Sequence, residues 1–188
     1  MRELSLAVVV LVSAGCATVT PLHEESLAEV QSFADEVSRV YQFPPVQMAV
    51  GDKPEGYYRI RVLKVTPAIL DAPLPVRDVA VALLLAFWLI QPPEPMSEPQ
   101  EVEINRRAYP EMNVAAVNIL ARVKGLPEGI AVRGVHAYLA AQADGLAEKR
   151  LSWRRTVPHP CDQLKKFIVD SGVRLGRKYP LDLPASCR

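Results

Sequence analysis

The sequence predicts an α+β fold that is mainly helical: a leading helix, a short β-hairpin, a buried apolar helix, then two to three further helices. Three observations carry this. Apolar residues recur at helical spacing over residues 21–42 and again in several segments after residue 101. Between 46 and 65 that period gives way to β-branched and aromatic enrichment with alternation. The run 76–90 is almost wholly apolar and is closed by Pro92 and Pro93.

The first residues differ in kind from the rest. Arg2 supplies a short positive start, and residues 4–12 form an apolar run interrupted only by Ser5, the n-region and h-region of a secretion signal. The run is about half of the roughly 20 residues a helix needs to cross a bilayer. It ends in Ser13, Ala14 and Gly15, small residues rather than a basic stop-transfer flank. Cys16 follows at once. The stretch Leu11, Val12, Ser13, Ala14, Gly15, Cys16 resembles the lipobox of bacterial lipoproteins, with Ser13 where leucine is usual. The resemblance implies a diacylglycerol thioether on Cys16 and cleavage between Gly15 and Cys16. It divides the chain into a cleaved signal (1–15), a lipidated tether (16–20) and a single globular domain (21–188). An ordinary secretion signal cut after Ala17 is the other reading of the same residues. Each buried methylene contributes about 0.8 kcal/mol, so two or three acyl chains hold firmly where one holds reversibly. Ala17 stands where the sorting rule of enteric bacteria would want aspartate for retention. By that resemblance the address is the cell envelope, at the outer membrane facing the periplasm.

Composition bounds the rest. The formal net charge is +1, with both signs interspersed, so a nucleic-acid partner, which wants a strongly basic face, is not expected. Roughly 170 mature residues suit one domain with a real core. Prolines outnumber glycines 17 to 9, which predicts stiff loops.

Along the mature chain, residues 21–42 place Leu27, Val30, Phe33, Ala34, Val37, Val40 and Tyr41 at helical spacing. Thr20 is a natural cap, Pro21 suits the first turn, and Glu24 and Glu25 suit the positive end of the dipole. His23 in that turn reads as a solvated side chain. Residues 46–50 and 57–65 read as the hairpin, joined by turn material at 51–56. In its second strand Tyr58, Ile60 and Val62 share one face, and Arg59 and Arg61 lie on a solvated one rather than forming an anion site. The run 76–90, with Asp78 near its start, reads as a helix buried on all sides, too short and unflanked for a membrane span. The Pro/Glu/Ser-rich stretch 91–100 reads as a loop. A helix from Glu101, bent at Pro110, carries Val114, Val117, Leu120 and Val123 to a stop at Gly125. Another from about Glu128 turns Ile130, Val135, Tyr138 and Leu139 inward and fades near Gly145. A last one, 161–171, puts Leu164, Phe167 and Ile168 on one face and ends at Gly172.

Cys161 and Cys187 fit an oxidising compartment. Joined, they would close a loop worth roughly 3.5 kcal/mol in the chain-entropy picture and pin the C-terminal tail; a pair of free thiols is the other reading. His159 beside Cys161 lacks the second ligand pair that a zinc knuckle needs.

The order of elements, with a Glu-x-Glu-x-Asn run at Glu101, Glu103 and Asn105 and an Arg-Ala pair after it, resembles the core of HtpX-like zinc metallopeptidases. In that family the apolar helix carries His-Glu-x-x-His, whose histidines bind zinc while the glutamate activates water. The resemblance puts Glu101 in the third-ligand position. It lays the first motif on Ala82, Leu83, Leu84, Leu85 and Ala86, so both histidines and the base are missing. An alanine methyl has no lone pair for zinc, and a leucine cannot take a proton.

No other constellation stands out. No serine, cysteine or carboxylate shares a helical face with His136 at a useful spacing, and Asp144 lies two turns away. His136 therefore reads as structural or surface. Glu101 and Glu103 suit a helix start, and Arg154 and Arg155 beside Trp153 read as a solvated turn rather than a headgroup-binding patch. Two function classes remain. One is a tethered interaction or scaffold domain, with no cofactor, an envelope protein as partner and the membrane reached through lipid. The other is an envelope hydrolase with a site assembled from distant groups such as Glu101, His136 and His159, or an inactive relative of a zinc metallopeptidase.

Overall fold

The computed structural model describes residues 21–52, 55–57, 61–90, 98–149 and 158–188. Their order is α1 (Pro21–Tyr41), β1 (Gln47–Val50), β2 (Glu55–Tyr57), β3 (Val62–Val65), a one-turn α2 (Pro67–Leu70), α3 (Leu74–Ile90), α4 (Glu98–Val123), α5 (Glu128–Lys149) and α6 (Pro160–Arg174). A 3-10 turn, Ala185–Cys187, closes the chain. The fold is mainly helical α+β. No described helix is long and apolar enough to cross a membrane.

Helix α1 buries Val30, Phe33, Ala34 and Val37, the stripe that its sequence spacing sets out, while Glu24, Glu25, Glu29 and Asp35 stay exposed. The sheet departs from a simple hairpin. Strand β1 pairs in parallel with β3, β2 pairs antiparallel with β3, and the order is β1-β3-β2. Arg61, with a left-handed φ of 53°, stands directly before β3, so the run 57–65 is not a single strand. Leu63 and Val65 are the buried pair and Val62 is only half-buried. Arg61 is exposed, as its reading requires; Tyr58, Arg59 and Ile60 lie outside the described residues.

The free edge of β1 is met by a side chain. Gln31 Nε2 donates to the Val46 carbonyl (2.9 Å), and Gln31 Oε1 accepts from the Met48 N–H (2.7 Å). One carboxamide thus reproduces a donor–acceptor pair of a neighbouring strand and blunts the edge. After β3, Thr66 caps α2 by accepting from the Ile69 N–H, with Pro67 in the first turn.

Helix α4 is the centre of the bundle. It packs beside α3, α5, α6 and α1, and Met112, Asn113, Val114, Ala116, Val117, Ile119 and Leu120 are all buried. It begins at Glu98, so the last part of the stretch 91–100 is helical rather than loop; residues 91–97 lie outside the description. Pro110 sits inside the helix, and Gly125 follows the end with φ 66°, a conformation glycine adopts without strain. Asn113 is wholly buried and its amide has no hydrogen-bond partner among the described residues; we have no physical account of it.

Helix α3 is buried through its middle, from Val79 to Leu83 and again at Leu85 and Ala86. It is not buried on all sides. Leu74 and Val76 are about half exposed and its last turn is half-buried, because its first turn projects past the bundle end. Helix α5 turns Val132, Val135, Leu139 and Ala143 inward. Ile130 is 48% exposed, since it lies about 200° round the helix from Val132, and the helix runs through Gly145 to Lys149. Helix α6 buries Leu164 and Phe167, leaves Ile168 half-buried, and passes Gly172 to end at Arg174.

Beyond α6 the chain doubles back and runs along α5 in the same direction. Tyr179 Oη donates to Glu128. His136 Nε2 donates to the Asp182 carbonyl (2.8 Å), and Ser186 Oγ to Asp144 Oδ1 (2.5 Å). At the far end the sulfurs of Cys161 and Cys187 stand 2.06 Å apart, with Cα atoms at 5.2 Å. Leu181 and Leu183 pack against the core beneath this strap.

Candidate functional site

The charged side chains concentrate where α1, the first turn of α3 and the last turn of α4 meet. Leu74-Pro75-Val76 starts α3, so Arg77 closes its first turn and Asp78 opens its second, and Gly125 stops α4 just after Lys124. A groove of about 410 Å³ opens there, lined by Glu29, Phe33, Leu74, Arg77, Asp78 and Lys124 among others.

Arg77 is 8% exposed and its guanidinium bonds to three partners. Nη1 donates to Ser26 Oγ (2.7 Å) and to the Leu70 carbonyl (3.4 Å), and Nη2 pairs with Glu29. Such multiple partners are what a buried cation requires. Lys124 Nζ lies 2.8 Å from Asp78 Oδ1 and 4.3 Å from the centre of the Phe33 ring, so its ammonium meets a carboxylate and an aromatic face together. His23 Nε2 donates to Asp71 Oδ1 at 2.9 Å. His23 is buried, which corrects its reading as a solvated side chain: its ring plugs the gap between α1 and the end of α2.

Each cation in this cluster is matched by a carboxylate on another element. The arrangement therefore ties helix ends together. Ser32 also lines the groove, and Ser26 Oγ lies beside it as an acceptor of Arg77 Nη1. At its rim the Arg39 hydrogen bond holds the Glu36 carboxyl below the usual range.

The chain matches no protein-family model, no curated protein and no solved structure in the comparisons made.

The sequence-derived candidates fall in separate places. Gly15, Cys16 and Ala17 lie outside the described residues, as do Trp153, Arg154 and Arg155. Glu101, Glu103 and Asn105 fall in α4, but their side chains are not described. His136 holds the Asp182 carbonyl, and His159 caps α6 by accepting from the Cys161 N–H (3.2 Å). His136 and His159 thus sit on different elements with different partners, and the structure does not draw them into one cleft. Asp144 is met by Ser186, not by His136. Ala82 and Ala86 are fully buried in α3. Among the described residues no three His, Cys, Asp or Glu side chains are grouped to hold a metal ion.

Sequence reasoning passed over Arg77 and Gln31. The signal for Arg77 was present: Arg77 and Asp78 are two adjacent charges at the head of an otherwise apolar run. A charge in that position needs partners from another element. Gln31 carried no signal, since a glutamine on a helix surface looks like any solvated residue.

Proposed function

We propose that this chain is a bacterial lipoprotein, cut before Cys16 and held by lipid on that cysteine in the cell envelope, where its domain serves as a non-catalytic interaction or scaffold module. The observation that carries the reading is the leader, in which a short apolar run passes through Ser13, Ala14 and Gly15 directly into Cys16. The domain supports it in two ways. Polar side chains are spent on fastening: His23 and His136 each bond to another segment, His159 caps its own helix α6, and Arg77 and Lys124 each have a carboxylate. The Cys161–Cys187 bridge belongs to an oxidising compartment. Ala82 and Ala86 fill core space where the zinc-peptidase resemblance would put ligands, so that resemblance adds no chemistry here. The membrane is reached through lipid and the working partner is an envelope protein.

Intact mass of protein extracted from membranes tests the anchor. The expected product begins at Cys16 and carries added acyl mass, and Cys16→Ser abolishes both processing and sedimentation with membranes. An unmodified product that stays in the aqueous fraction overturns the reading. Stoichiometric zinc in the purified protein, lost with Glu101→Ala, would instead favour the peptidase-like alternative.

A further inference from the structure

Five large apolar side chains are conspicuously exposed among the described residues: Leu74, Val76, Ile130, Val169 and Val173. Three of them gather at one end of the bundle. Leu74 and Val76 belong to the first turn of α3 and Ile130 to the first turn of α5. A chain of contacts places these turns together. Lys124, just past the end of α4, reaches Asp78 one turn into α3, and α5 begins only four residues later, at Glu128. The same end receives the start of α1, where His23 meets Asp71 and Ser26 meets Arg77. Pro73, Pro75 and Pro127 are exposed between these turns, so the end is apolar and stiff.

The chain enters this end at Pro21, five residues after Cys16. Five extended residues reach at most about 18 Å, so a lipid on Cys16 keeps the start of α1 and the bundle end beside it close to the bilayer. We propose that the bundle end carrying Leu74, Val76 and Ile130 is a lipid-contacting face that lies in the membrane interface. Its apolar side chains enter the headgroup boundary and its cations meet lipid phosphates. The inference rests on the lipid-anchor reading for its local lipid concentration, which lets a small face bind that would be too weak alone.

The charges around the face fit. Arg133 is exposed and its guanidinium lies with the Tyr179 ring around Gly129 in the first turn of α5. Arg177 and Lys178 are exposed just before Tyr179. Opposing them are Glu24, Glu25 and Asp71, all exposed near the start of α1, which place α1 at the rim of the contact rather than beneath it. Val169 and Val173 form a separate row on α6. Arg174 beside them reaches Glu111 at 3.7 Å, twelve residues or about 18 Å from the end of α4, so that row belongs to the side wall.

The test uses the full chain purified with its lipid and returned to vesicles of phosphatidylethanolamine and phosphatidylglycerol. Val76→Cys, Ile130→Cys and, for contrast, Val173→Cys are each labelled with a small fluorophore under non-reducing conditions. Labels at 76 and 130 are expected to lose iodide quenching severalfold on reconstitution and to gain quenching by nitroxide headgroups, while the label at 173 stays open to iodide. A chain that floats with the vesicles while labels at 76 and 130 remain open to iodide overturns this inference alone, as does lipid quenching only at 173. A chain that does not float at all removes the anchor, and the face with it. If the labels at 76 and 130 become shielded only when a purified envelope protein is added, the face is a protein-docking surface and the lipid assignment is wrong.

Discussion

The two ends of the chain are secured by opposite means. The start of α1 is fastened by charge, His23 to Asp71 and Arg77 to Glu29 and Ser26, and next to it Lys124 holds α4 to Asp78 of α3. The last residues are fastened by hydrogen bonds along α5 and by the bond between Cys161 and Cys187. The first set acts between elements already close in the fold, and its strength depends on desolvation and pairing in the folded state. The second acts largely on the unfolded chain, by forbidding the extended arrangements of the loop it closes. A helix with a deep apolar stripe can be finished with ion pairs, whereas a tail without a regular helix or strand of its own over 178–184 is held by side-chain bonds and a covalent stop.

The sharpest way to break this comparison is to open the bridge. Replacing Cys161 and Cys187 by serine together is expected to lower unfolding free energy by about 3 kcal/mol, read as a lower denaturant midpoint. Added reductant should bring the natural chain to the same midpoint and leave the variant unmoved. Arg77→Ala comes next, at about 2–3 kcal/mol, since it leaves the Leu70 carbonyl and its neighbours short of a donor in a part-buried site. Its loss should be indifferent to reductant, which would separate the two fastenings cleanly; a reductant-dependent loss would show that they are coupled. Gln31→Ala is expected to cost about 1 kcal/mol and to speed hydrogen exchange at the Met48 amide, with concentration-dependent association if the bared β1 edge recruits another strand.

The smallest effect belongs to Tyr179→Phe. The hydrogen bond to Glu128 raises the Tyr179 phenol above its ordinary value of 10.0, with burial adding to it. A raised folded pKa means that this contribution is complete below pH 10 and is lost as pH rises through the folded value. The natural chain should therefore lose stability in that alkaline window more steeply than Tyr179→Phe, and parallel pH profiles would show that the contact contributes nothing.

The helices were legible wherever periodicity and punctuation agreed. Pro21 and the Val30–Phe33–Val37 stripe set out α1, and Gly125 marked the end of α4. Reading failed where a single backbone angle decides. Nothing in the letters at 57–65 announces that Arg61 turns left-handed, so one alternating run looked like one strand, while the pair that β3 buries is Leu63 and Val65. Ile130 misled for a related reason: near a helix start, one apolar residue fits either phase until the helix origin is known. Glu98 to Gln100 looked like loop because Pro and Glu also suit the first turn of a helix. Of the candidate site, Cys161 and Cys187 were readable as a pair and Asp78 as a charge at the head of α3. The clasp itself was not readable, because its partners are separated by up to about fifty residues and meet only after the bundle has formed.

The strap has a further property. Its three α5 partners, Glu128, His136 and Asp144, recur every eight residues, a step of about 12 Å on a helix, while Tyr179, Asp182 and Ser186 advance by three and four residues, the first step about 10 Å if extended and the second ending in the 3-10 turn. The two scales agree only in one alignment, as a vernier does. Removing or adding one residue between Tyr179 and Ser186 would put the rungs out of register and carry Cys187 away from Cys161, so the tail tolerates changes of side chain far better than changes of length.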